Sequence, residues 1–126
     1  MKKRILTLMG CIMLLLAFSV QAFAYASKSG STSGGRNGVL NTTATLSVSS
    51  YTGQATTNTS ASNPENVSYA TTINCRYHNA NNHVAYVSGS GTKSAGASAS
   101  RIVDGTSQHS VNGGTYWGNW SCTLSD

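Results

Sequence analysis

Apolar and polar side chains alternate along most of the chain with a period of two, the spacing of an extended strand with one buried face. The clearest run is 67–77, where Val67, Tyr69, Thr71, Ile73, Cys75 and Tyr77 alternate with Ser68, Ala70, Thr72, Asn74 and Arg76. Upstream, Ala44, Leu46 and Val48 share a face opposite Thr43, Thr45, Ser47 and Ser49. A Thr-rich stretch at 54–59 is placed to pair back on that strand through a turn at Tyr51, Thr52 and Gly53. Residues 58–66, which hold the one proline at Pro64, read as a loop.

Beyond 77, a four-residue loop of Asn79, Ala80, Asn81 and Asn82 predicts a hairpin in which Tyr77 faces Val84, Cys75 faces Tyr86 and Ile73 faces Ser88. That register gathers apolar residues on one face. A strand over 97–103 is predicted to turn at Asp104 and Gly105 and to return through 108–111, with His109 facing Tyr116 across a further turn at Asn112, Gly113 and Gly114. In the last strand Tyr116, Gly118, Trp120, Cys122 and Leu124 share one face, opposite Trp117, Asn119, Ser121 and Thr123. About seven short strands with turn signals between them, and no helical period, predict an all-β fold. The expectation is a small antiparallel β-sandwich, Ig-like in architecture, with a small barrel as the alternative.

The first 26 residues have a different pattern. Lys2, Lys3 and Arg4 precede an apolar run over 5–20, and small residues recur at Ala22, Ala24 and Ala26. This is the layout of an export signal, with cleavage expected after Ala24 or Ala26. A retained anchor is disfavoured because 16 residues fall short of the roughly 20 needed to span a bilayer core. A lipoprotein signal ending at Cys11 is disfavoured because the apolar run continues past it. Residues 27–38 hold four glycines and no apolar side chain, so they are predicted to form a flexible tether. The folded domain is then expected over 39–126.

Export changes how charge and cysteine are read. The formal charge of the whole chain is +5, but three of its eight basic residues lie in the leader. The leader-free chain carries five bases against three acids, a net of +2, which gives no support for a nucleic-acid partner. Leader removal also leaves no membrane span, and two cysteines, Cys75 and Cys122, in a chain bound for an oxidising compartment. One disulfide between inward faces of the two sheets is the expectation, with about 4 kcal/mol of stabilisation in the chain-entropy model.

Candidate chemistry is sparse. Glu65, Asp104 and Asp126 are the only acids, Gly-x-Ser-x-Gly does not occur, and no cofactor motif is present, so a non-catalytic protein is expected. His78 and His83 face one another across the predicted hairpin and form a weak candidate metal pair without a third ligand. His109 reads as a half-buried structural residue. Trp117, sent to the polar face by the alternation, joins Tyr116 and Asn119 as the candidate binding surface. Such a surface suits a glycan, a lipid headgroup or a protein of the cell envelope.

Tyr77 and His78, the run at 83–87, Gly96 to Ala99 as Gly-Ala-Ser-Ala, and the run at 112–117 resemble the C-terminal portion of the Sec-secreted lactococcin-type bacteriocins. The resemblance covers residues 70–120. It implies a small β-sandwich protein of a Gram-positive bacterium that interferes with cell-wall synthesis by engaging lipid II. The chain departs from that pattern in its extension over 27–60 and in its cysteine pair. A secreted binding protein, an antibacterial protein of this kind, and a structural extracellular component assembling edge to edge are the three functional expectations.

Overall fold

Alternating side chains bury themselves only when two sheets face each other, and this is what the chain builds. The structure, a computed structural model, describes residues 23–49, 54–61 and 66–126. In chain order the elements are β1 (Phe23–Ser31), β2 (Ser33–Gly34), β3 (Asn41–Ser49), β4 (Gln54–Ala61), β5 (Ser68–His78), β6 (Val84–Gly91), β7 (Ser94–Ser98), β8 (Ile102–Asn112), a four-residue helical turn α1 (Gly114–Trp117) and β9 (Gly118–Ser125). Strands β1-β3-β4-β7 form a four-stranded sheet and β2-β9-β8-β5-β6 a five-stranded one. Every pairing is antiparallel. The all-β expectation holds in this form.

The core lies between the sheets. Ala44, Leu46 and Val48 of β3 meet Ile73 and Cys75 of β5, Ala95 and Ala97 of β7, Ile102 of β8, and Cys122 and Leu124 of β9. The inward residues of β3, β5 and the end of β9 are those that the alternation assigns. Trp120 lies partly buried against this cluster. Few of these side chains are large, so close backbone approach completes the packing.

Among the described strands the chain passes between the sheets five times, and two of these crossings are tight corners. At the first, Thr32 separates β1 from β2, is buried, and exchanges bonds with Leu40: its amide donates to the Leu40 carbonyl at 3.0 Å and its hydroxyl accepts from the Leu40 amide at 2.9 Å. At the second, between β6 and β7, the Thr71 hydroxyl donates to the Thr92 carbonyl at 2.9 Å and the Lys93 ammonium sits 4.9 Å from the centre of the Tyr69 ring.

Several expectations are corrected. Residues 27–38 are not a tether in this structure: the end of β1 pairs with β3, and Arg36 and Asn37 donate their amides to the carbonyls of Thr115 and Tyr116 at 2.9 and 2.8 Å. Strand pairing uses backbone groups, which a glycine-rich segment supplies as well as any other. Residues 1–22 of the expected 1–26 leader and the turn at 51–53 lie outside the described residues, while both expected cleavage points fall within β1. The loop predicted over 58–66 begins later, because β4 continues to Ala61.

Asp104 and Gly105 do not turn the chain. Both lie inside β8, where Gly105 is buried and a Cβ would come within 2.9 Å of Val48 Cγ2 and 3.3 Å of Cys75 Sγ. The β5–β6 register is also one residue away from that predicted. Tyr77 faces Ala85, Cys75 faces Val87 and Ile73 faces Gly89. The loop has five residues, closed by Asn79, whose side-chain oxygen accepts from the amides of Asn81 and His83 at 3.0 Å each, with Asn82 at φ 61°. A slip of one residue sends every side chain of β6 to the other face.

The inter-sheet disulfide is absent. Cys75 and Cys122 are both buried as free thiols on the same sheet, on β5 and β9, with β8 between them.

A neutral polar face as the candidate functional site

The outward residues of the five-stranded sheet form cross-strand rows fixed by the register. Tyr86, Arg76 and Asp104 make the first row; Ser88, Asn74, Thr106 and Ser125 the second. Ser90, Thr72, Gln108 and Thr123 make the third. Ala70, Ser110 and Ser121 come next, and Ser68, Asn112, Asn119 and Ser33 close the far end. From the Arg76 row to the Ser68 row is about 27 Å along the strands. Across these rows the charged residues are Arg76 and Asp104, and they pair with each other. The rest is mostly hydroxyl and carboxamide.

The first three rows of β6, β5 and β8 enclose a shallow concavity of about 620 Å³. Tyr86 stands at its edge with 69% of its surface exposed. The corrected register is the reason: it turns Val84 and Tyr86 outward and leaves Ala85, Val87 and Gly89 inward. Asp104 reaches Arg76 because β8 bulges there: Arg76 faces Asp104 whereas Tyr77 faces Ile102, so Val103 is an extra residue on β8. Val84 and Val103 are likewise exposed at this end. The ion pair is half-exposed on both sides, so it orients the guanidinium and cancels its charge while contributing about 1 kcal/mol or less to stability.

The residues expected to form the binding surface separate. Asn119 is exposed on the outer face of β9, at the end of the sheet opposite Tyr86. Tyr116 is 52% exposed but belongs to α1, so it does not point into the core as strand alternation predicts. Trp117 is half-buried: an added Cβ on Gly113 would overlap its side chain and one on Gly35 its backbone. Trp117 donates its amide to the Gly113 carbonyl at 3.1 Å, and the Gly113 amide donates to the Gly118 carbonyl at 2.8 Å. The turn thus breaks the alternation before Gly118, and Trp117 is half-buried, with Gly35 close against its backbone, instead of standing free.

The histidines also redistribute. His78 faces Val84, and His83 is an exposed loop residue, so the predicted facing pair does not form. Among the described residues no group of three or more His, Cys, Asp or Glu side chains is arranged to hold a metal. His109 faces Cys122 and not Tyr116, is 2% exposed, and shares a hydrogen bond of 2.8 Å between its Nε2 and the Ser107 hydroxyl. Burial holds its pKa below the ordinary histidine value. Burial raises the pKa of the Cys75 thiol, with the charges of Asp126 and Asp104 adding to it. Burial raises that of Cys122 too, against a smaller lowering by Lys28. Both thiols therefore stay protonated and inert at neutral pH.

Tyr86, Asn74 and Gln108 are the residues that sequence reasoning misses as a group. The signal that finds them is Asn79: an asparagine at the start of an Asn-rich loop closes a five-residue turn and fixes the register. No helix among the described residues is long and apolar enough to cross a membrane. Comparison with protein-family models, with curated proteins and with solved structures finds no match to this chain.

Proposed function

We propose that the protein is a secreted, non-catalytic binding domain whose contact surface is the outer face of the five-stranded sheet. The observation that carries this reading is the concavity beside Tyr86, a large exposed ring set among neutral hydroxyls and amides and a cancelled ion pair. Aromatic side chains with an apolar body and a polar tip are favoured where a surface meets a partner. The basic, apolar and small-residue succession of residues 1–26 supports export. That destination favours a partner in the cell envelope.

The test is retention of the purified, leader-free protein on isolated Gram-positive cell walls. Wild type should be retained, and Gln108→Lys, placed in the middle of the face, should not be. Equal retention of both proteins removes the face from the reading.

An antibacterial protein acting on the envelope is the second reading. It is favoured by the position of the segments that resemble lactococcin-type bacteriocins, since the hairpin of β5 and β6 and the turn at 112–117 bound the two ends of this same sheet. Growth inhibition of Gram-positive cells together with lipid II binding would replace the first reading with this one. A structural role is the third, resting on β6, an edge strand with no charged residue and no proline. Concentration-dependent assembly of purified protein distinguishes it.

A further inference from the structure

We infer that the concavity lined by Tyr86, Asn74 and Gln108 is a binding site for a neutral oligosaccharide. The inference rests on the outer face of the five-stranded sheet being the contact surface, and it names the class of ligand.

Charge argues first. Of the side chains lining the concavity, Arg76 and Asp104 are the charged ones, and each is occupied by the other. An anionic ligand needs uncancelled cations, and the lining presents none. An apolar peptide or lipid tail needs a continuous apolar lining. Here the floor is Asn74, Thr72, Thr106 and Gln108, with Ser88 and Ser90 on the β6 side. Carboxamides and hydroxyls donate and accept at once, which suits a ligand whose own groups do the same and carry no charge. Sugars are that class.

Shape argues second. Tyr86 faces Arg76 directly across the β5–β6 pair, and Arg76 is fixed in place by Asp104. With 69% of its surface exposed, the Tyr86 ring leaves a face open on which the apolar C–H face of a pyranose packs. Three strands about 4.8 Å apart and three rows about 6.8 Å apart give a strip on the order of 10 by 14 Å. That strip is longer than a single ring, so a short oligosaccharide fills it better than a monosaccharide. Glycoside hydrolysis requires two carboxyl groups across the scissile bond. The lining supplies one, Asp104, already paired with Arg76, so the sugar is held and not cleaved.

The experiment is a ¹⁵N NMR titration of the leader-free protein with neutral chito- and cello-oligosaccharides, and in parallel with oligogalacturonate as an anionic probe. Envelope retention is measured on the same preparations. The expected result is saturable binding of a neutral oligosaccharide with shift changes at Tyr86, Asn74 and Gln108. Tyr86→Ala should weaken it about tenfold, and Tyr86→Phe should leave it nearly unchanged. Tyr86 is exposed, so the substitution leaves the core intact; an unchanged melting temperature verifies this. Binding that Tyr86→Ala does not weaken, or shift changes confined to the Asn119 end, overturns the site. Binding of the anionic probe alone overturns the ligand class. Envelope retention without binding of any neutral oligosaccharide at about 10 mM overturns the ligand class and leaves the face standing, whereas loss of both overturns the two together.

Discussion

Cys75 and Cys122 occupy the same sheet, opposite Gly105 and His109, four residues apart along the β8 strand that separates them. Two strand spacings and four residues of rise put their Cα atoms on the order of 16 Å apart. A disulfide requires about 7 Å or less, so no rotamer change joins them. The stability of this domain therefore rests on packing and on the sheet ladders.

The first prediction concerns those thiols. In the folded protein both should resist a thiol reagent, because burial excludes it and keeps the sulfurs protonated. In denaturant two thiols should titrate, with Cys11 as a third if the leader is attached. A reductant should leave the melting temperature unchanged. Fewer than two thiols in denaturant, or a fall in melting temperature on reduction, would contradict the placement of the cysteines.

A second prediction joins the glycine-rich N-terminal region to the core. A Cβ on Gly30 would overlap the Trp120 indole nitrogen, so the indole of β9 lies directly against the backbone of β1. Trp120→Ala should destabilise by about 3 kcal/mol. Gly30→Ala alone should cost about 1 to 3 kcal/mol by overpacking. The two losses should not add, since the smaller side chain at 120 makes room for the new methyl. Denaturant unfolding of the four proteins measures this; strict additivity would separate the two residues.

Much of this architecture is legible in side-chain period, and the parts that are not have physical reasons. In β3 and β5 each inward residue is apolar or threonine and each outward one is mostly polar, so alternation alone identifies the buried face. In the run Val84, Ala85, Tyr86, Val87 all four side chains are apolar, and alternation cannot choose; the turn at Asn79 chooses instead. Asp104 and Gly105 read as a turn because glycine marks turns, yet here the missing Cβ admits Val48 and Cys75. Residues 27–38 read as unstructured because they hold no apolar side chain, although their backbone pairs, Thr32 is buried and Gly30 receives an indole. The candidate site inherits the register error: placing Tyr86 inward hides the ring that stands on the outer face.

The Thr42 hydroxyl gives a third prediction. It is buried at 2% exposure and has no hydrogen-bond partner among the described residues. A buried hydroxyl left unsatisfied costs about 1 to 3 kcal/mol, and valine keeps both the shape and the strand preference. Thr42→Val should therefore raise stability by about 1 kcal/mol. Thr43→Val, one residue on and facing outward beside the Ser29 hydroxyl at 3.3 Å, should change it little. Chemical denaturation of the pair checks the contrast, and a destabilised Thr42→Val would mean that the hydroxyl has a partner.

The last prediction comes from His109. Its pKa in the folded protein lies below 6.5 because burial penalises the charged ring. The unfolded chain then binds a proton on this ring at a higher pH than the folded chain does. Above about pH 6.5 both states are neutral here and the full stability is present. As pH falls from there toward the depressed folded value, protonation of the unfolded chain draws the equilibrium away from the native state. Thermal unfolding between pH 8 and pH 5 should show a falling melting temperature over that window. In His109→Gln the carboxamide can still meet the Ser107 hydroxyl, and the fall over the same window should flatten whatever the variant's absolute stability. A profile as steep as that of the wild type would assign the pH dependence to another group.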